Sequence, residues 1–215
     1  MKLYIYKIDK EYIKTKYPQI RELLSDWRKE KLDKLKMEDA RVTSAAAGLL
    51  VQYALKDSFG IEKRDLDIKF NEMGKPYFNA CFFNITHSGD YAVVLTDDKE
   101  CGVDIETKSD KNLAITRRIL SDSERCYVES FKEEEKQLAF RKVWTMKEAY
   151  LKCIGTGISI PLKSFSVMPE ECVVRTNEGE DIYLKTFSKE PEKYIIGIAS
   201  KKDNFKLDID YIESI

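Results

Sequence analysis

Two short stretches concentrate side chains able to do chemistry together. In Gly102-Val103-Asp104-Ile105-Glu106 two carboxylates stand at i and i+2. On a β-strand that spacing sends both to one face, while Val103 and Ile105 point to the other. Like charges so close repel unless a cation sits between them, and an oxygen-only ligand set favours a hard divalent ion such as Mg²⁺. Solvated acids on an exposed edge strand are the competing reading. In the second stretch, Val143 to Gly157, and the residues just before it, a helical period places Arg141, Thr145, Glu148 and Lys152 on one polar stripe. Phe140, Val143, Tyr150, Leu151 and Ile154 supply apolar surface, and Gly155 and Gly157 provide a stop. Alone, Glu148 and Lys152 read first as an ordinary surface i,i+4 ion pair. Packed beside the acidic strand, the same helix makes Glu148 the third carboxylate of a metal cluster.

The elements that must position these residues follow from period and punctuation. Leu3 to Ile8 alternates as a strand, Gln19 to Lys36 has helical spacing, and the small-residue run from Glu38 through Ala45, Ala46, Ala47 and Gly48 to Lys56 reads as a helix ended by Phe59-Gly60. Leu66 to Phe70 is a short strand, and Asn71 to Pro76 is a turn. Phe82 to Thr86 and Tyr91 to Thr96 are strands separated by His87-Ser88-Gly89-Asp90, and Cys101 to Thr107 is another. Helices are expected over Asn112 to Leu120, over Ser121 to Phe131 with a Ser121–Glu124 capping box, and over Glu133 to Ile154. Short strands then follow: Phe165 to Met168, Val173 to Arg175, Ile182 to Phe187, Tyr194 to Ser200 and Leu207 to Ile212. The order of strand, helices and strands occurs twice. It predicts the α+β class with two similar halves, 1–104 and 105–215.

Composition narrows the partners. With 37 basic and 38 acidic residues in a chain of 215, no global charge advertises nucleic acid or an anionic membrane. Five cysteines, odd in number and without a CxxC pair, read as reduced thiols of a cytoplasmic protein. The N-terminus lacks the apolar run of a signal peptide, and no run reaches the roughly 18 apolar residues of a membrane span. The single histidine, His87, excludes HExxH zinc sites and leaves one candidate imidazole base.

The acidic stretch and Trp144-Thr145-Met146-Lys147-Glu148-Ala149-Tyr150-Leu151-Lys152 resemble the paired motifs (I/V)G(I/V)D(I/V)E and W(S/T)xKEAxxK of the 4′-phosphopantetheinyl transferases. Gly74-Lys75-Pro76-Tyr77 is similar to that family's GKP turn, and Phe83-Asn84-Ile85-Thr86-His87-Ser88 to its FN(I/L)(S/T)HS segment. The length resembles the surfactin-synthetase-activating (Sfp-type) group, in which one chain holds both halves of the site. The resemblance implies a monomer of two pseudo-twofold α+β halves with the active site in the cleft between them. The first half would bind coenzyme A, and the second would carry the catalytic helix and meet the carrier.

The implied reaction moves the 4′-phosphopantetheine arm of coenzyme A onto a serine of an acyl or peptidyl carrier protein and releases adenosine 3′,5′-bisphosphate. Asp104, Glu106 and Glu148 match the Mg²⁺ positions, with Mn²⁺ as an alternative ion. Glu148 matches the general base, for which a bound water is the alternative, and Lys152 matches the lysine on the diphosphate. His87, also placed in the catalytic set, matches the histidine beside the phosphates, with Thr86 and Ser88 as hydroxyl donors. Lys75 and Pro76 match a segment near the adenine. Arg28, Lys31 and Arg41 are the nearest equivalents of the cations on the 3′-phosphate; where relatives carry a second arginine before the serine of the alanine-rich helix, Thr43 precedes Ser44. Lys147 points about 100° away from Glu148 and ranks below Lys152. Lys108, Lys111, Arg117 and Arg118 form a basic run suited to an acidic carrier helix, with Leu113, Ile115 or Leu120 as apolar anchor. Two rival functions remain: a metal-dependent nucleotide hydrolase using the same acids, and a non-catalytic carrier- or coenzyme A-binding module.

Overall fold

Strand β1 (Lys2–Lys7) buries Leu3 to Tyr6 on both faces, as a central strand must. In the computed structural model, which describes residues 1–62, 68–78, 81–108, 116–171, 173–175, 179–191 and 193–215, β1 is flanked by two strands far away in sequence. It pairs parallel with β10 (Asp208–Ile212) and antiparallel with β5 (Tyr91–Asp97). Strand β4 (Phe82–Ser88) completes the sheet, in the order β10-β1-β5-β4. The β4–β5 turn is only Gly89-Asp90, with Gly89 at φ 56°, as a two-residue hairpin led by glycine requires. His87 and Ser88 therefore belong to the strand, opposite Ala92 and Tyr91, and not to the loop expected from sequence.

The helices of this unit precede the hairpin. Helix α1 (Lys10–Thr15), capped by Asp9, was not foreseen. The expected helix over Gln19 to Lys36 is broken into α2 (Tyr17–Leu23) and α3 (Asp26–Asp33). Leu24 and Ser25 are extended at the break, and Gln52 satisfies the freed backbone there: its Oε1 accepts from Ser25 N at 2.9 Å and its Nε2 donates to Leu23 O at 3.0 Å. Gln52 lies on α4 (Glu38–Phe59), whose Ala45 to Ala47, Leu50 and Ala54 are buried in the core and whose end is a left-handed Gly60. A small hairpin, β2 (Lys69–Phe70) and β3 (Pro76–Tyr77), holds the glycine-lysine-proline turn. Asn71 Oδ1 accepts from Met73 N and Lys75 N, and Gly74 takes φ 81°.

The second sheet has the order β6-β9-β8-β7, from β6 (Cys101–Thr107), β7 (Val173–Arg175), β8 (Asp181–Phe187) and β9 (Tyr194–Ser200), all antiparallel. Before its main helix come α5 (Thr116–Ile119) and α6 (Asp122–Glu129), the latter opened by the expected capping box of Ser121 and Glu124. Residues 112–115 of the helix expected over Asn112 to Leu120 lie outside the described residues. Helix α7 (Glu133–Ile154) covers the sheet and ends at left-handed Gly155. Phe165 to Met168 does not form the expected strand; Phe165 O and Val167 N are bonded to side chains instead.

Two compact units result: Met1–Asp98 with Lys206–Ile215, and Lys99–Phe205. The expected boundary at 104/105 falls within β6, and β10 returns to β1 in the first unit. Among the described residues, no helix is long and apolar enough to cross a membrane.

Candidate active site

Two glycines bring α7 onto its sheet. A methyl group on Gly102 would lie 2.1 Å from Ala149 O, and one on Gly197 2.3 Å from Thr145 O. Neither strand position admits a side chain, so the helix backbone rests on the strands. Because Gly102 faces α7, so do Asp104 and Glu106, two and four residues further along β6. The carboxylates share one face of the strand, as the spacing predicts, and that face is turned to the helix.

One edge of α7 meets them. Trp144, Glu148 and Lys152 follow one another at i+4 and form a single row. Trp144 Nε1 donates to Glu106 Oε1 at 2.8 Å, and Lys152 Nζ donates to Asp104 Oδ1 at 2.6 Å and to Val103 O at 3.2 Å. Glu148 is half-buried in the middle of the row. Asp104 itself is buried. Arg141 lies one turn before Trp144 and is also buried: its Nη2 donates to Pro191 O, burial pushes its guanidinium below the usual arginine value, and the nearby charge of Glu106 opposes that fall.

The donor chemistry of this face, oxygen-only and already holding an ammonium, fits a hard divalent ion. In this structure, though, Lys152 and Trp144 occupy Asp104 and Glu106, and among the described residues no three acidic, histidine or cysteine side chains are gathered to hold a metal. Trp144 and Arg141 are additions to the site that sequence reasoning had placed only as motif and stripe. The signal for Trp144 was its position one turn before Glu148.

The candidates in the first unit are arranged differently. Arg28, on α3, is 2% exposed and lies across α4: a methyl group on Gly48 would stand 2.7 Å from its Cγ. Its Nη1 donates to Ser44 Oγ at 3.4 Å and its guanidinium sits 4.2 Å from the Trp27 ring centre, while Nε and Nη2 have no hydrogen-bond partner among the described residues. Burial pushes the group down to about 10, still charged at neutral pH. Lys31 is exposed on the same helix, held below the usual lysine value by partial desolvation and then by the charge of Arg28. Arg28, Lys31 and Ser44 are thus brought together.

Arg41 is set apart, donating to Leu35 O at 3.3 Å and lining a cleft of about 470 Å³ with Lys14, Tyr17 and Arg21. Thr86 is buried on β4, His87 is exposed, and Lys75 and Pro76 are half-buried at the β2–β3 turn. Among the proposed carrier-facing residues, Lys108 and Arg118 are exposed. Leu120 is 1% exposed within the core of the second unit, so it cannot serve as the apolar anchor. Lys111, Leu113, Ile115 and the side chain of Arg117 lie outside the described residues.

Comparison with known proteins decides the family. The model of the 4′-phosphopantetheinyl transferase superfamily matches residues 100–199, and that of the 4′-phosphopantetheinyl transferase N-terminal region matches residues 11–99. The 4′-phosphopantetheinyl transferase ffp of Bacillus subtilis is 30% identical over 80% of this chain and 78% of its own. The chain belongs to the 4′-phosphopantetheinyl transferases. A further 4′-phosphopantetheinyl transferase of Bacillus subtilis is 27% identical over 94% of this chain and 97% of its own, and the Sfp protein of Bacillus subtilis strain 168 is 28% identical over 78% and 76%. The superfamily match takes in β6 and α7, the two elements that carry the facing carboxylates and the Trp144–Glu148–Lys152 row of this transferase.

Proposed function

We propose that the protein transfers the 4′-phosphopantetheine arm of coenzyme A to a serine hydroxyl of an apo acyl or peptidyl carrier protein, with release of adenosine 3′,5′-bisphosphate. The observation that carries this reading is the α7 row set against the acidic face of β6, with Lys152 on Asp104 and Trp144 on Glu106. Family membership supports it.

Asp104, Glu106 and Glu148 would hold Mg²⁺ (or Mn²⁺) once Lys152 leaves Asp104. The bound ion would neutralise charge on the diphosphate oxygens. Lys152, released from the carboxylate, would place its ammonium on the diphosphate. Glu148 would accept the proton of the serine hydroxyl as Oγ bonds to the phosphorus of the pantetheine-side phosphate. The bond from that phosphorus to the oxygen bridging to the adenosine-side phosphate breaks, and the leaving group keeps the electron pair. His87, Thr86 and Ser88 at the end of β4 would hydrogen-bond the phosphates, Lys75 and Pro76 would lie near the adenine, and Arg28, Lys31 and Arg41 would receive the 3′-phosphate. Under-bonded donors on Arg28 support its part. Cytoplasmic residence as a monomer belongs to the same reading.

The test is mass spectrometry of an apo carrier protein incubated with the enzyme, coenzyme A and Mg²⁺. Covalent gain of one phosphopantetheine arm, lost on adding a chelator, is expected. Release of free phosphopantetheine without a carrier would replace transfer by hydrolysis, and no change in either species would reduce the protein to a binding module.

A further inference from the structure

Glu124 and Lys147 form an ion pair that is fully withdrawn from solvent, with both side chains 0% exposed. Lys147 Nζ donates to Glu124 Oε1 at 2.6 Å, to Glu124 Oε2 at 2.8 Å and to Phe165 O at 2.8 Å, which uses all three of its protons. It also lies 4.2 Å from the Phe165 ring centre. Glu124 is as fully engaged: beyond Lys147 it accepts from Ser121 N at 2.7 Å, closing the capping box of α6, and from Val167 N at 2.8 Å. One carboxylate thereby ties the start of α6, the middle of α7 and the segment after Ser164 to one point.

On α7, Lys147 projects almost opposite Thr145, Ala149 and Cys153, which rest on the glycines of the sheet. The glycine floor permits close approach but adds no side chain of its own, so the rotation of α7 is left to the packing of its apolar face, with Phe140, Val143, Met146, Tyr150 and Leu151 buried in the core, and to its polar bonds. The bonds of Trp144 to Glu106 and of Lys152 to Asp104 are among these, but in the proposed reaction both carboxylates change partners. The Glu124–Lys147 bridge is not consumed by the chemistry. We infer that Glu124 and Lys147 are positioning residues: their buried bridge sets the rotation of α7 and so aims Glu148 and Lys152 at the acidic face of β6. The inference rests on the transfer reading for its kinetic consequence alone.

Removing one partner would strand a buried charge, so the pair is replaced together, as Glu124→Leu with Lys147→Met, a change that removes both charges but leaves Ser121 N, Val167 N and Phe165 O without these side-chain partners. The expected result is a lowered thermal midpoint with the fold retained, a kcat for carrier modification reduced about 100-fold, as for a displacement near 1 Å, and a KM for coenzyme A within about twofold. A structural bridge alone would leave kcat at the parent level once the fold is restored, and that outcome overturns the inference. An independent readout comes from Trp144 emission in a Trp27→Phe background, where loss of the Glu106 bond displaces the spectrum. Should the apolar pair fail to fold, Glu124→Gln with Lys147→Gln keeps a weaker hydrogen bond in place. A kcat reduced about tenfold with shifted emission then supports the inference, and parent values of both overturn it. A parent enzyme that modifies no carrier defeats the transfer reading; the emission shift alone then decides the positioning role.

Discussion

Arg28 in the first unit and Lys147 in the second are both cations removed from water, and they differ in what surrounds them. Lys147 has a carboxylate, a carbonyl and an aromatic face, all supplied by the fold. Arg28 has one long bond to Ser44 and a stacked indole, with two nitrogens left without acceptors among the described residues. Burial lowers the proton affinity of both, but at Lys147 the hydrogen bonds and charge of Glu124 oppose the fall, whereas at Arg28 no group among the described residues does. A buried cation whose bonds close inside the chain is architecture. One whose bonds stay open is suited to a negatively charged group brought in from outside.

Stability separates the two most sharply. Lys147→Met strands the Glu124 carboxylate in the core and is expected to destabilise the protein by about 3–5 kcal/mol in urea denaturation. Arg28→Met removes a charge that has no countercharge among the described residues and is expected to change stability by less than about 1 kcal/mol, with a gain as readily as a loss. Equal losses in the two variants would erase the distinction between an architectural and a receptive cation.

Next in size is Asp104→Ala. It tests whether the ammonium now on Asp104 stands where an ion would go. The expected outcome is a loss of transfer of about 10³-fold or more, with the far-ultraviolet circular dichroism retained. Near-normal turnover at limiting Mg²⁺ would remove Asp104 from the proposed metal set.

Much of this site was legible before any coordinates, because its spacing rules are local. Two acids at i and i+2 share a strand face in any sheet, and Glu148 and Lys152 share a helix edge wherever the helix packs. The Ser121–Glu124 capping box was equally plain. Its second task was not: nothing in the sequence says that the glutamate closing α6 also receives Lys147 from α7, since that contact is made by tertiary packing. The same holds for β10, whose alternation announced a strand while its parallel pairing with β1 joins the two ends of the chain. The break at Leu24 and Ser25 escaped notice because Gln52, which braces it, stands on another helix. Phe165 to Met168 misled for the related reason that its backbone bonds go to Lys147 and Glu124 and not to a neighbouring strand.

At the substrate, Arg28→Met is expected to raise the KM for coenzyme A by about 10- to 100-fold, the value of hydrogen bonds to a charged group, with kcat little changed. Coenzyme A lacking its 3′-phosphate makes the cycle complete: parent and variant should bind that analogue alike. A penalty that persists with the analogue would place Arg28 elsewhere on the ligand.

The smallest effect expected is also the most local. Gly48 is the gap in α4 across which the Arg28 stem lies, with the Cγ of Arg28 at 2.7 Å and Leu24 Cδ2 at 2.9 Å from where a methyl group would stand. Both contacts are under 3.0 Å, so the Arg28 stem and Leu24 must shift, but they are side-chain atoms, unlike the helix backbone above Gly102. Gly48→Ala should therefore fold, its better helix propensity of about 1 kcal/mol offsetting part of the overpacking. The displaced guanidinium should raise the KM for coenzyme A by about threefold, less than its removal does. At Gly102 the same substitution meets backbone at 2.1 Å and leaves α7 no room, so kcat and stability should fall together. If Gly48→Ala instead behaves like Gly102→Ala, the first unit holds its helix as rigidly as the second, and Arg28 is less free to follow a ligand than its open bonds imply.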